Sequence, residues 1–121
     1  MNKILIIDDN KYIRYVLTTL FEEYGYIVES AGDKVSAMKE IELYKPGLIV
    51  LDKKLPDCDG LDLLVEIKKI DEKLPVIMLT AYAEANNAEM AIRAGAYAFL
   101  TKPFDNTEIL LTISNALKEA S

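Results

Sequence analysis

The sequence predicts an α/β domain, a doubly wound parallel sheet of five strands in the order 2-1-3-4-5 with five helices. Short β-branched runs alternate with longer segments whose apolar residues recur at three- and four-residue steps. The alternation occurs five times in 121 residues, a length that suits one ordinary core. Strands separated by helices pair in parallel through right-handed crossovers, and five such units fit that strand order.

The first strand is read at Lys3–Ile7. After it, Ile13, Val16, Leu17, Leu20, Phe21 and Tyr24 form one apolar helical stripe, which Gly25 ends as a left-handed cap. The second strand, Ile27–Ala31, leads to a helix at Lys34–Tyr44, and Pro46 stops that segment before the third strand, Leu48–Leu51. A helix at Leu61–Lys69 follows, and Pro75 precedes the fourth strand, Val76–Leu79. The last elements are a helix at Glu84–Ala94, a strand at Ala98–Leu100 and a helix at Thr107–Glu119, with Asp105 and Glu108 forming a capping box. With no repeat, low-complexity tract or linker, one continuous domain over residues 1–121 is expected.

Composition narrows the function. The net charge of −6 repels phosphate backbones and anionic lipid, so neither nucleic acid nor membrane is an expected partner of this domain alone. No apolar run approaches the roughly 18 residues of a membrane span, and "MNKILIIDDN" meets acids too early for a signal peptide, so a cytoplasmic location is expected. Cys58 has neither a second thiol nor any histidine beside it, which disfavours soft-metal chemistry.

In a doubly wound sheet the binding crevice opens beyond the carboxyl ends of the strands, where the winding direction reverses. Asp8 and Asp9 follow the first strand there, Asp52 the third, Thr80 the fourth, and Thr101, Lys102 and Pro103 the fifth. Crowded carboxylates raise one another's pKa unless a cation neutralises them. Oxygen ligands without histidine select a hard ion, and Mg²⁺ needs only one or two carboxylates beside waters and a phosphoryl oxygen. Asp52, at the tip of a buried strand, is placed to act as a carboxylate nucleophile toward phosphorus, with Lys102 and Thr80 holding the phosphoryl oxygens.

The pieces "IDD", "LDKKLPDCDG", "LTAY" and "GAYAFLTKPF", in this order and at these strand ends, make the whole chain resemble a bacterial response-regulator receiver domain. The resemblance implies that Asp8 and Asp9 bind the metal with Asp52 and the backbone carbonyl of Lys54. It also implies Asp52 as phosphoacceptor, Thr80 as switch hydroxyl, Phe99 as rotating aromatic, Lys102 as phosphoryl contact, and a cis bond between Lys102 and Pro103. Lys54, Tyr82, "IDEKLPVIMLTAY" and "KPFD" are most similar to one branch, the single-domain sporulation phosphorelay intermediate. "GAY" before "LTKPFD" is equally similar to the N-terminal receivers of nitrogen-regulator-type transcription activators. Both identities stay open at this point.

With no histidine in the chain, the expected donor is a partner's phosphohistidine, on a histidine kinase or histidine phosphotransfer protein. Asn10, Lys11, Tyr12, Ile13 and Tyr15, with Phe104 after Lys102, border the open end of the crevice and are expected to meet that partner. Lys54 and Tyr82 are expected to flank the approach of hydrolytic water. The Ala- and Asn-rich segment "AYAEANNAEMAIRAG" has a thin apolar face, so the switch is expected around the fourth helix. A monomer is expected, with dimerisation on phosphorylation as the alternative, and no activity beyond self-phosphotransfer and slow autodephosphorylation.

Two rivals use the same residues. An aspartyl-nucleophile phosphatase wants a second acid two residues past the nucleophile, where Lys54 stands. A flavodoxin-like cofactor carrier wants small residues with free N–H groups after the first strand, where Asp8 and Asp9 would repel its phosphate.

Overall fold

The computed structural model describes residues 2–82 and 85–120, the side chain of Ala85 excepted. Ten elements alternate along the chain: β1 Lys3–Ile7, α1 Lys11–Glu23, β2 Ile27–Ala31, α2 Lys34–Tyr44, β3 Leu48–Leu51, α3 Gly60–Ile70, β4 Val76–Thr80, α4 Ala85–Arg93, β5 Ala98–Thr101 and α5 Asn106–Ala120. The sheet is parallel throughout, in the order β2-β1-β3-β4-β5. Fold class and strand order are those the sequence predicts.

β3 and β4 are buried along their whole length and β1 from Ile4 on, as strands covered on both faces must be. Their alternate residues feed two cores. Leu5, Ile7, Ile49, Leu51, Val76 and Met78 pack with residues of α2 and α3. Ile4, Ile6, Leu48, Val50, Ile77 and Leu79 pack with Leu17 and Phe21 of α1 and Ile109 and Ile113 of α5.

Where boundaries differ from expectation, local bonds explain the difference. β4 and β5 each run one residue further, because Thr80 pairs with Thr101 in register. α3 starts at Gly60, because the Asp59 carboxylate accepts from the Leu61 N–H at 2.8 Å and caps the helix a residue early. α2 ends at Tyr44 as expected, but its cap is Lys45, at φ 51, so a left-handed lysine closes the helix before Pro46 can. Gly25 and Gly95 have positive φ after α1 and α4. One arm of the expected capping box is made, the Glu108 N–H donating to Asp105 at 3.1 Å. Glu84, the expected start of α4, lies outside the described residues.

The loop from β3 to α3 folds back on itself. Lys54 and Asp59 form an isolated antiparallel bridge, the Gly60 N–H donates to the Lys53 carbonyl, and buried Leu55 pins the loop to the first core. A Cβ on Gly60 would stand 2.1 Å from the Asp52 carbonyl oxygen and 2.8 Å from Lys53 Cα. Those neighbours are backbone and cannot swing away. Gly60→Ala is therefore expected to destabilise the domain by about 2 kcal/mol or more, read from the midpoint of a urea melt. An unmoved midpoint would show that the loop rearranges freely.

Candidate functional site

The hydrogen-bond ladder continues past the ends of the strands and seats the site residues. The Asp8 N–H donates to the Ala31 carbonyl at 3.0 Å, that of Asp52 to Ile7 at 2.9 Å, and that of Lys102 to Thr80 at 2.9 Å. Because Ile7 and Leu51 are register partners, the next residues, Asp8 and Asp52, lie side by side. Both are buried, 3% and 6% exposed, while Asp9 is exposed. One carboxylate oxygen from each of Asp8, Asp9 and Asp52 lies within 4.8 Å of the others.

Lys102 reaches into this group from β5. Its ammonium donates to Asp8 Oδ2 at 2.6 Å and to Asp52 Oδ2 at 3.5 Å. Asp8 Oδ1 accepts from the Asn10 N–H at 2.9 Å, and Arg14 donates to the Asp8 carbonyl at 2.7 Å. Burial pushes the Asp8 carboxyl above the usual carboxylate range; the bonds from Lys102 and Asn10 pull it down, and the Asp52 charge adds to the upward push. Asp52 Oδ1 is buried with no hydrogen-bond partner. A buried carboxylate oxygen left bare is costly, and Asp52 lines an open crevice of about 340 Å³ together with Asp8, Asp9, Lys54, Tyr82 and Lys102 among others. This donor set, three carboxylates without histidine or sulfur, fits a hard cation with room for additional oxygen ligands.

Paired acids after a strand can simply cap the next helix, but the cap of α1 is Asn10, whose Oδ1 accepts from the Ile13 N–H at 3.1 Å. Asp9 is left for the cluster. Thr80 is fully buried, and its Oγ1 accepts from the Tyr82 N–H at 3.2 Å, so in this arrangement its hydroxyl serves its own turn and does not line the crevice. Phe99 is half-buried against the first core. The Lys54 ammonium stands 5.4 Å from the centre of the Tyr82 ring, a cation–π contact between two exposed side chains of the crevice wall. The Lys102–Pro103 bond is cis. Of the residues expected to meet a partner, Asn10, Lys11, Tyr12 and Tyr15 are exposed, whereas Ile13 and Phe104 are half-buried against the second core.

Three residues of the site's surroundings were not read from the sequence. Arg14, one turn into α1, ties the helix to the Asp8 carbonyl. Asp57 accepts from the N–H groups of Lys34 and Val35 at 2.8 and 3.3 Å, so the loop after Asp52 caps α2 across the crevice side of the sheet. Asn87, on α4, donates to the Tyr82 carbonyl at 3.1 Å. The Asp57 bonds join residues 23 and 22 positions apart in the chain, for which a linear pattern carries no signal.

Comparison with known proteins agrees with the fold. Residues 4–114 match the response regulator receiver domain family. The chain is 38% identical over 107 residues to sporulation initiation phosphotransferase F of Bacillus subtilis, covering 88% of this chain and 86% of that protein. It is 35% identical over 118 residues to the regulatory protein AtoC of Escherichia coli, covering 98% of this chain but only 26% of AtoC, so it spans about a quarter of that relative's length. Among solved structures, the beryllofluoride-activated NtrC4 receiver domain dimer superposes over the full length of both chains with a TM-score of 0.95 at 37% identity. With its acids and lysine gathered at the carboxyl edge of that fold, the chain belongs to the response regulator receiver domains.

Proposed function

We propose that this receiver domain is a Mg²⁺-dependent phosphoacceptor that takes a phosphoryl group from a partner's phosphohistidine onto Asp52. The observation that carries the reading is Asp52 itself, which lines an open crevice beside Lys102 and has one buried carboxylate oxygen, Oδ1, without a hydrogen-bond partner. Asp8, Asp9 and Asp52, with the backbone carbonyl of Lys54, would hold the ion, which when bound neutralises charge on the transferring group. In the transfer an Asp52 oxygen forms the new bond to phosphorus as the bond to the donor imidazole nitrogen breaks, and the freed imidazole takes up a proton. The transition state is loose, so alignment and neutralisation dominate. Lys102, already 3.5 Å from Asp52, would engage a phosphoryl oxygen. The Thr80 hydroxyl, released from the Tyr82 N–H, would engage another, and Phe99 would turn into the space vacated.

The donor is a histidine kinase or a histidine phosphotransfer protein, since the chain has no histidine. We read the domain as a cytoplasmic phosphorelay component, a monomer at rest; no described helix is long and apolar enough to cross a membrane. A second reading, the regulatory receiver of a larger nitrogen-regulator-type transcription activator that pairs when phosphorylated, is favoured by the match to one quarter of AtoC and by the likeness to the NtrC4 dimer.

Asp52→Asn keeps the shape and removes the nucleophile, so labelling by a phosphodonor with Mg²⁺ is expected to vanish. Persistent full labelling of the variant, or labelling indifferent to a chelator, would refute the assignment. Lys11→Glu and Phe104→Ala are expected to slow transfer from the histidine partner about tenfold or more, equivalent to roughly 1.4 kcal/mol in the barrier, with labelling by a small phosphodonor nearly intact. Equal loss with both donors would mean damage to the site instead of the docking surface.

Hydrolysis of the acyl phosphate needs water in line with the Asp52–phosphorus bond. An ammonium cannot accept that water's proton and a neutral phenol is a poor base, so Lys54 and Tyr82 obstruct without catalysing, and the observed contact between them reinforces the obstruction. The double variant Lys54→Asn with Tyr82→Glu is expected to lose phosphate about tenfold faster or more. Decay followed after donor removal tests this, and an unchanged or slower rate would show that the pair does not control water.

A further inference from the structure

Among the described residues, the buried polar or charged side chains are Asp8, Asp52, Thr80 and Asn87. Three belong to the site. The fourth lies on α4, and a buried primary amide is retained only when its bonds are specific. Asn87 Nδ2 donates to the Tyr82 carbonyl at 3.1 Å, and the Tyr82 N–H donates to Thr80 Oγ1 at 3.2 Å. The N–H and the carbonyl of one residue are thus both held, one by the site hydroxyl and the other by α4. The same residue carries the ring that meets the Lys54 ammonium.

We propose that Asn87 is a positioning residue that holds Tyr82, and through it the Thr80 hydroxyl, in the resting arrangement. The inference rests on the phosphoacceptor reading of Asp52. Thr80 cannot turn its hydroxyl toward a group on Asp52 without leaving the Tyr82 N–H, and Tyr82 cannot follow while its carbonyl stays bound to Asn87. The Asn87 bond fixes Tyr82 where its N–H meets the Thr80 hydroxyl, so it favours this arrangement over one in which Thr80 turns toward Asp52. α4 offers little else to resist movement: of its described side chains only Asn87 and Ala91 are buried.

Beryllofluoride, which activates the NtrC4 receiver domain, is the probe, added with Mg²⁺ to the whole chain and followed by amide NMR. In the unaltered protein the Tyr82 backbone amide and the Asn87 side-chain amide are expected to shift together on saturation. Asn87→Ala and the nearly isosteric Asn87→Leu are expected to bind beryllofluoride about three- to tenfold more tightly, the net worth of one hydrogen bond, with affinity for Mg²⁺ alone unchanged. A merely structural asparagine would leave that affinity equal or lower, and this result in both variants overturns the proposal. Should the variants fail to fold, the unaltered protein decides: Tyr82 and Asn87 resonances that stay fixed on saturation overturn it as well. If the unaltered protein does not bind beryllofluoride, the phosphoacceptor reading falls and this inference with it.

Discussion

Lys102 lies between two buried carboxylates, 2.6 Å from Asp8 and 3.5 Å from Asp52, and the carboxyl edge of the sheet depends on that placement. Opposite charges about 4 Å apart attract by about 4 kcal/mol at an effective dielectric constant near 20, and like charges repel by as much. One ammonium therefore offsets one carboxylate. Asp8, Asp9 and Asp52 together leave a surplus of negative charge that the sheet must carry. The bonds around it are of the kind that tolerate such a surplus: a backbone N–H from Asn10 to Asp8, and the Arg14 guanidinium on the Asp8 carbonyl. Removing the ammonium alone would leave two buried carboxylates facing each other, the arrangement in which a broken buried pair is most destabilising.

The direction of the Asp8 shift shows what burying a carboxylate here does. Its folded-state pKa is raised, burial being the main cause, so the folded state binds the proton more tightly than the unfolded chain does. The contribution of Asp8 to stability is then fully present at pH below the ordinary carboxylate value, and it is lost as pH rises through the raised folded value. Charging Asp8 therefore works against folding. A divalent cation bound only by the folded state would act in the opposite direction, which would tie the stability of the domain to the ion its proposed chemistry requires.

Much of this was legible in the sequence because it depends on local period and strand ends. The run "KILII", the stripe from Ile13 to Tyr24 and the buried strands read at Leu48–Leu51 and Val76–Leu79 declare their elements by spacing alone. The doubly wound order then brings Asp8, Asp52 and Lys102 to one edge. Less legible was how those side chains bond once there. Lys102 is engaged with Asp8 more closely than with Asp52, and Thr80 is turned away into its own loop. Arg14, Asp57 and Asn87 escaped notice because an isolated arginine, aspartate or asparagine has many possible partners. Asp57 caps a helix that begins 23 residues earlier in the chain, a relation created by the fold and invisible to any window of sequence.

The same contrast explains why one end of the domain can be firm and the other movable. α1, α3 and α5 are anchored by large apolar side chains, Leu17 and Phe21, Leu63, Leu64 and Ile67, and Ile109 and Ile113. Each such group, fully buried, contributes roughly 1.5–3 kcal/mol to its helix's attachment. α4 presents Met90 and Ile92 to solvent and buries an alanine and an amide, so its attachment is worth much less. On the proposed reading, a phosphoryl group on Asp52 would act through a few polar contacts, roughly 1.5–3 kcal/mol each when charged. That would be enough to rearrange α4 and too little to disturb α1 or α5. The composition of the helices thus determines which surface can respond, and the chain from Thr80 through Tyr82 to Asn87 ends on the weakly held one.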